Sequence, residues 1–111
     1  MKFLDPTLQL RYRSAPLAMH GVEFRKLGHE LVDKIAALLD ELPQRPVTAG
    51  ETPQAIRKRL SAAPLPEYGM PATALLEEAT ELLFDHSLFN GHPRFWGYIT
   101  GAAAPIGVLA D

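Results

Sequence analysis

Cysteine is absent from the chain, which excludes disulfide staples and thiolate chemistry. A dominant charge of one sign is absent too. The formal net charge of −2 lacks the basic excess that a nucleic-acid surface uses. Long hydrophobic runs are missing: the longest, residues 102–110, contains glycine and proline and falls far short of the roughly 20 residues that cross a bilayer. The start, Met1-Lys2-Phe3-Leu4-Asp5-Pro6, carries no apolar stretch of signal-peptide length. These gaps predict a soluble, cytoplasmic chain with neither nucleic acid nor membrane as partner.

Several chemical signatures are missing as well. There is no Gly-x-Ser-x-Gly elbow, Walker loop or dinucleotide fingerprint. His20, His29, His86 and His92 lack helical i, i+4 spacing, and no carboxylate completes a ligand set, so no metal site is expected.

What is abundant is punctuation. Ten prolines and eight glycines in 111 residues cut the chain into short elements. Residues 1–18, with Pro6, Pro16 and the Arg11-Tyr12-Arg13 triplet, read as an irregular lead-in. From Met19 to Leu42, Phe24, Leu27, Leu31, Ile35, Leu38 and Leu42 step by three and four, the period of an amphipathic helix, with Val32 and Leu39 widening the stripe. Glu30 and Lys34 stand in the favourable i, i+4 order, and the helix is expected to stop before Pro43. Roughly eight large side chains, at about 1.5–3 kcal/mol each if buried, need a covering surface. Two readings stay open: the stripe pairs with another subunit, or it packs on the shorter helices of its own chain.

Pro46 and Gly50 mark a connector. Thr52-Pro53 then starts a short helix to Leu60, with Thr as N-cap and Pro at the first position. It buries Ile56 and Leu60 and turns Arg57, Lys58 and Arg59 to solvent. A second proline-rich connector leads to a third helix from Pro71 to Asp85, apolar along Leu75, Leu76, Ala79, Leu82 and Leu83. Glu77, Glu78, Glu81 and Asp85 occupy its polar side, which favours solvation over acid–base work. The last stretch, HPRFWGYITGAAAPIGVLAD from His92 to Asp111, opens with Pro93, whose predecessor is biased to extended backbone. Phe95, Trp96, Tyr98 and Ile99 favour a pleated, half-buried path. Gly101 and three alanines then strip away side-chain bulk, and Pro105 starts another helix. Residue spacing alone supports a mostly α chain of about three helices plus an extended aromatic arm: 1–18 lead-in, 19–91 helical region, 92–111 arm and helix start. A free-standing helical interaction module satisfies that reading.

Three stretches add a resemblance. GVEFRKLGHELVDKIAALLDEL with the following PQRPV is similar to the opening helix and "RPV" connector of the pyridoxal-phosphate-dependent group II amino-acid decarboxylases, the aromatic-L-amino-acid decarboxylase family. The acidic helix Leu75 to Phe84 falls where that family has one. HPRFWGYITGAAAPIGVLAD resembles its "HP-x-F-aromatic-small-Tyr" arm and "P-I/M-x-x-L-A-D" continuation, and is the most specific of the three.

The resemblance implies the N-terminal helical swap region of a fold-type-I homodimer, with the catalytic domain absent from this chain. The first helix would pair with its symmetry copy through Phe24, Leu27, Leu31, Ile35 and Leu38. The arm would run along the active-site rim, with Tyr98 lining the substrate side chain and Thr100 near substrate or cofactor. Gly101 would admit a close backbone approach. The full enzyme would be a carboxy-lyase acting on a small-molecule L-amino acid, an aromatic one, with pyridoxal phosphate as electron sink. In that family the cofactor lysine follows a histidine. None of Lys2, Lys26, Lys34 and Lys58 does, so no catalytic residue and no covalently held cofactor is expected here. The arm is one residue shorter between Tyr98 and Pro105 than in eukaryotic members, and Asn90 stands where some of them carry an aromatic.

Overall fold

A computed structural model of the chain describes residue 15 and residues 17–60 and 63–110. Most of the lead-in, including Arg11 and Arg13, lies outside the described residues, as does Lys2. Among the described residues four α-helices follow in order: α1 (Gly21–Glu41), α2 (Pro53–Leu60), α3 (Ala72–His86) and α4 (Pro105–Val108), with a 3-10 turn at Leu42–Gln44 behind α1. There is no strand among the described residues.

The proline grammar sets these boundaries. α1 ends at Glu41, and Pro43 sits inside the 3-10 turn, whose tighter winding satisfies the last carbonyls. The Arg45 N–H donates to both the Glu41 and Leu42 carbonyls, each at 3.2 Å. Pro46 then holds Arg45 in extended backbone, at φ −72° and ψ 158°. At α2 the Thr52 hydroxyl accepts the Ala55 N–H at 3.2 Å, the N-cap bond expected of Thr-Pro.

α1 and α3 pack side by side and run in the same direction. Lys34 lies opposite Glu77 and Thr80, while Arg45, just past the end of α1, reaches Phe84 and Asp85 at the end of α3. A parallel pair needs a long return, and residues 45–71 with α2 supply it. Two edges of the α1 stripe are used differently. Leu38 and Ala37 face Phe84 and Thr80 of α3 across a shallow groove of about 230 Å³. Val32, Ile35, Ala36 and Leu39 face Ala103, Pro105, Val108 and Leu109 across an apolar groove of about 250 Å³.

Three expectations for side-chain placement change in three dimensions. Lys34 leaves Glu30 for Glu77 at 3.9 Å and donates to Thr80 Oγ1 at 3.3 Å, and Glu30 pairs instead with Lys26 at 3.8 Å. On α3 the residues turned to α1 are Leu76, Thr80 and Phe84, spaced by four, whereas Leu75 and Leu83 are exposed. Glu77 and Asp85 serve as partners for Lys34 and Arg45 rather than facing water alone.

No hydrophobic side chain is buried among the described residues. The radius of gyration is 20.4 Å, against about 13 Å for a compact domain of this length. The accessible surface of 10,235 Å² exceeds by roughly 4,000 Å² what a compact 12 kDa monomer exposes. The helices form, but they enclose no core.

Candidate functional site

In a chain without a core, the most buried side chain is His92, 3% exposed; Thr80, 5% exposed, is the only other buried one among the described residues. His92 sits where the segment after α3 docks onto the connector after α1. The Phe89 N–H donates to the Val47 carbonyl at 3.0 Å, and two consecutive turns follow, closed by His92 N–H to the Phe89 carbonyl (3.1 Å) and Phe95 N–H to the His92 carbonyl (2.9 Å). Asn90-Gly91 fills the first turn and Pro93 takes the second position of the next, places these residues favour. The His92 ring then spans the junction. Its Nε2–H donates to the Arg45 carbonyl at 2.8 Å, and its Nδ1 accepts the Arg94 N–H at 3.0 Å. One nitrogen donates and the other accepts, so the ring is the neutral Nε2–H tautomer.

Arg45 is the other half of the junction. Its carbonyl also receives Arg94 Nη2 at 3.4 Å. Its guanidinium donates to the Phe84 carbonyl at 3.0 Å, to Asp85 at 3.3 Å and to Glu41 at 3.1 Å. One residue thus ties the end of α1, the end of α3 and the base of the following loop.

A second polar cluster holds α2 in place. Glu51 receives a hydrogen bond from Arg59 Nε at 3.2 Å and shares another with His86 Nδ1. These partners hold the Glu51 carboxyl below the ordinary glutamate range, His86 first and Arg59 next, against desolvation that opposes them. Arg59 therefore turns back to its own chain, whereas Arg57 and Lys58 stay exposed as expected.

The residues proposed for substrate contact, Tyr98, Thr100 and Gly101, lie on the loop that leaves this junction. It is not pleated. Residues 92–101 bow outward and return: the Asn90 amide reaches the Gly101 carbonyl at 3.5 Å, and a Cβ placed on Gly91 would stand 3.0 Å from that of Ala102. Within this chain the tight backbone approach falls at Gly91, while open space surrounds Gly101. At the tip, Trp96 and Tyr98 are 92% and 94% exposed, and Ile99 is fully exposed. Tyr98 has φ 55°, a left-handed conformation that a bulky side chain adopts at a cost of about 1–3 kcal/mol. Of the α1 residues, Leu27, Leu31, Ile35 and Leu38 are half-buried and Phe24 is exposed.

Among the described residues no cluster of three or more His, Asp or Glu side chains converges as a metal site. Pyridoxal phosphate finds no matching cradle either. A Schiff-base site needs a lysine available as a nucleophile, but Lys26 and Lys34 are engaged by Glu30 and by Glu77 and Thr80. Lys58 stands exposed on α2. The described residues do not fit the group, and no chemical step is assigned to it here.

Sequence reasoning pointed to the loop and missed what holds it. The signals were an arginine between two prolines at Arg45 and a histidine before a proline at His92. Each is an ordinary pattern until the two meet.

Comparison with known proteins gives two similarities. The chain is 29% identical over 98 residues to an aromatic-L-amino-acid decarboxylase of Bacillus atrophaeus, a match covering 88% of this chain and 20% of that protein. It is 29% identical over 96 residues to a tyrosine decarboxylase of Oryza sativa subsp. japonica, covering 86% of this chain and 18% of the relative. The chain thus spans about a fifth of the length of these curated relatives. No family model matches, and no solved structure does. Together the matches support a decarboxylase-related, helical segment.

Proposed function

We propose that this chain is the N-terminal dimerisation and active-site-rim segment of a pyridoxal-phosphate-dependent decarboxylase of L-amino acids, with an aromatic substrate. One observation carries the reading. A chain similar to decarboxylases over 88% of its length folds its helices yet buries no hydrophobic side chain among the described residues. The surplus exposed surface, roughly 4,000 Å² on one chain, exceeds the share of about 1,000–2,500 Å² that each partner of an obligate interface buries. In this reading Phe24, Leu27, Leu31, Ile35 and Leu38 meet a second copy. Tyr98, Thr100 and Gly101 reach a substrate pocket completed by a catalytic domain that also supplies the cofactor lysine. The exposed tip at Trp96 and Tyr98 supports that role, because aromatic side chains left wholly in water gain nothing by being there.

The same chain supports a second reading through one contact set. Val32, Ile35, Ala36 and Leu39 of the α1 stripe face residues 103–109 at the end of the arm within one chain, the closure that a free-standing helical interaction module requires. Light scattering across a concentration series separates the two. Dimers that weaken when Leu31 and Ile35 are changed to glutamine support the decarboxylase segment. A monomer at every concentration that melts cooperatively gives the module the lead.

A further inference from the structure

We infer that His92 is a positioning residue: through its Nε2–H bond to the Arg45 carbonyl it sets the direction in which the loop 96–101 leaves the helical body. Three observations meet at this ring. It is 3% exposed, and no hydrophobic residue is buried among the described residues, so its enclosure is not a by-product of a packed core. Its two nitrogens bridge different things: Nδ1 takes the amide of Arg94, two residues away, and Nε2–H takes the carbonyl of Arg45, 47 residues away. The Arg45 carbonyl is itself aimed by structure on both sides, with Pro46 restricting its backbone and its guanidinium anchored on Phe84, Asp85 and Glu41.

The loop needs such an anchor. Its other ties are the Phe89–Val47 backbone bond before it, the Arg94 guanidinium on the same Arg45 carbonyl, the return at Asn90–Gly101 and Gly91–Ala102, and residues 103–109 facing α1 across the apolar groove beyond it. His92 is the buried side chain that links the first turn of the loop to the end of α1. Beyond Phe95, the exposed Trp96, Tyr98 and Ile99 supply no packing that would fix an angle. The neutral tautomer matters because an Nδ1 that carried a proton would oppose the Arg94 N–H instead of accepting it. That the loop faces a substrate rests on the proposed function; that His92 aims the loop does not.

The test exploits the absence of cysteine. Asp40→Cys on α1 and Ile99→Cys at the loop tip carry nitroxide labels in the full chain, and their distance distribution is measured. H92Q places an amide donor near the Nε2 position and keeps the link to Arg45. H92N places an acceptor near Nδ1 and keeps only the local turn. A narrow distribution is expected in the labelled parent and in H92Q, and loss of it in H92N, with helix content unchanged by circular dichroism. Loss in both variants also upholds the inference and makes both nitrogens necessary. A narrow distribution in H92N, or a broad one already in the parent, overturns it. So does a nitrogen NMR spectrum of the unsubstituted chain in which His92 carries its proton on Nδ1, a readout that needs no variant to fold.

Discussion

At the scale of single residues, small polar bonds stand in for a core. The Thr52 hydroxyl caps α2 through the Ala55 N–H, and T52A is expected to cost about 0.5–2 kcal/mol, read as faster amide exchange at Ala55 with little change elsewhere. Glu51 gives a pH-dependent prediction. Its folded carboxyl binds a proton more weakly than the unfolded chain, because His86 and then Arg59 favour the charged form. Its contribution is therefore complete above the ordinary glutamate value and is lost as pH falls through the lowered folded value. Protection of α2 amides is expected to stay level near neutrality and to drop in acid, and E51Q is expected to flatten that acid limb. At Gly91 the constraint is steric. An added methyl would stand 3.0 Å from Ala102 Cβ, so G91A is expected to force the return of the loop apart and to shift the Ala102 and Gly101 NMR signals.

At the scale of elements, the parallel α1–α3 pair joins half-buried Leu38, Leu76 and Phe84 with polar contacts that fix its register. Thr80 donates to the Glu77 carbonyl at 2.9 Å and accepts from Lys34. T80V keeps the shape and removes both bonds, at an expected cost of about 1 kcal/mol for the pairing. Arg45 carries more. R45K is expected to fail as a replacement, because a lysine ammonium does not reproduce a planar fork spread over Glu41, Phe84 and Asp85. Hydrogen exchange over the last turn of α3 in R45K and R45A checks this, with both variants expected to exchange alike. Helix existence and limits were legible to within a residue or two, since caps and prolines act locally. The direction of α3 relative to α1 was not, because nothing in a 15-residue periodicity encodes which way a neighbour runs. Leu75 and Leu83 illustrate the limit: the hydrophobic pattern names a face, while the face that α1 covers is centred on Leu76, Thr80 and Phe84.

At the scale of the molecule, the shape is elongated and open. Extents of 72 × 36 × 23 Å leave the α1 stripe between α3 on one side and residues 103–109 on the other, with neither covering it fully. If α1 pairs with a second copy as proposed, L31Q combined with I35Q is expected to lower the mass seen by light scattering while leaving helix content in place, since both residues are only half-buried within the chain. No helix among the described residues is long and apolar enough to cross a membrane. Adding pyridoxal phosphate to the isolated chain is expected to give no absorbance band that disappears on changing one lysine. Such a band would place the cofactor on this segment and overturn its assignment to a partner domain.

Local chemistry along the chain was enough to place the elements: where proline starts or stops a helix, where threonine caps one, and where aromatic residues cluster beyond α3. These follow from backbone and neighbour effects that act over three or four residues. It took the folded arrangement to bring Arg45 and His92 together across 47 residues, to pair Glu51 with His86, and to bow the aromatic segment out as a loop with Tyr98 in left-handed backbone. Such pairings depend on where whole helices lie, and that is fixed by chain return and packing rather than by any local pattern. The same reason explains the missing core. A hydrophobic stripe records that burial is required, but not whether its own chain provides it.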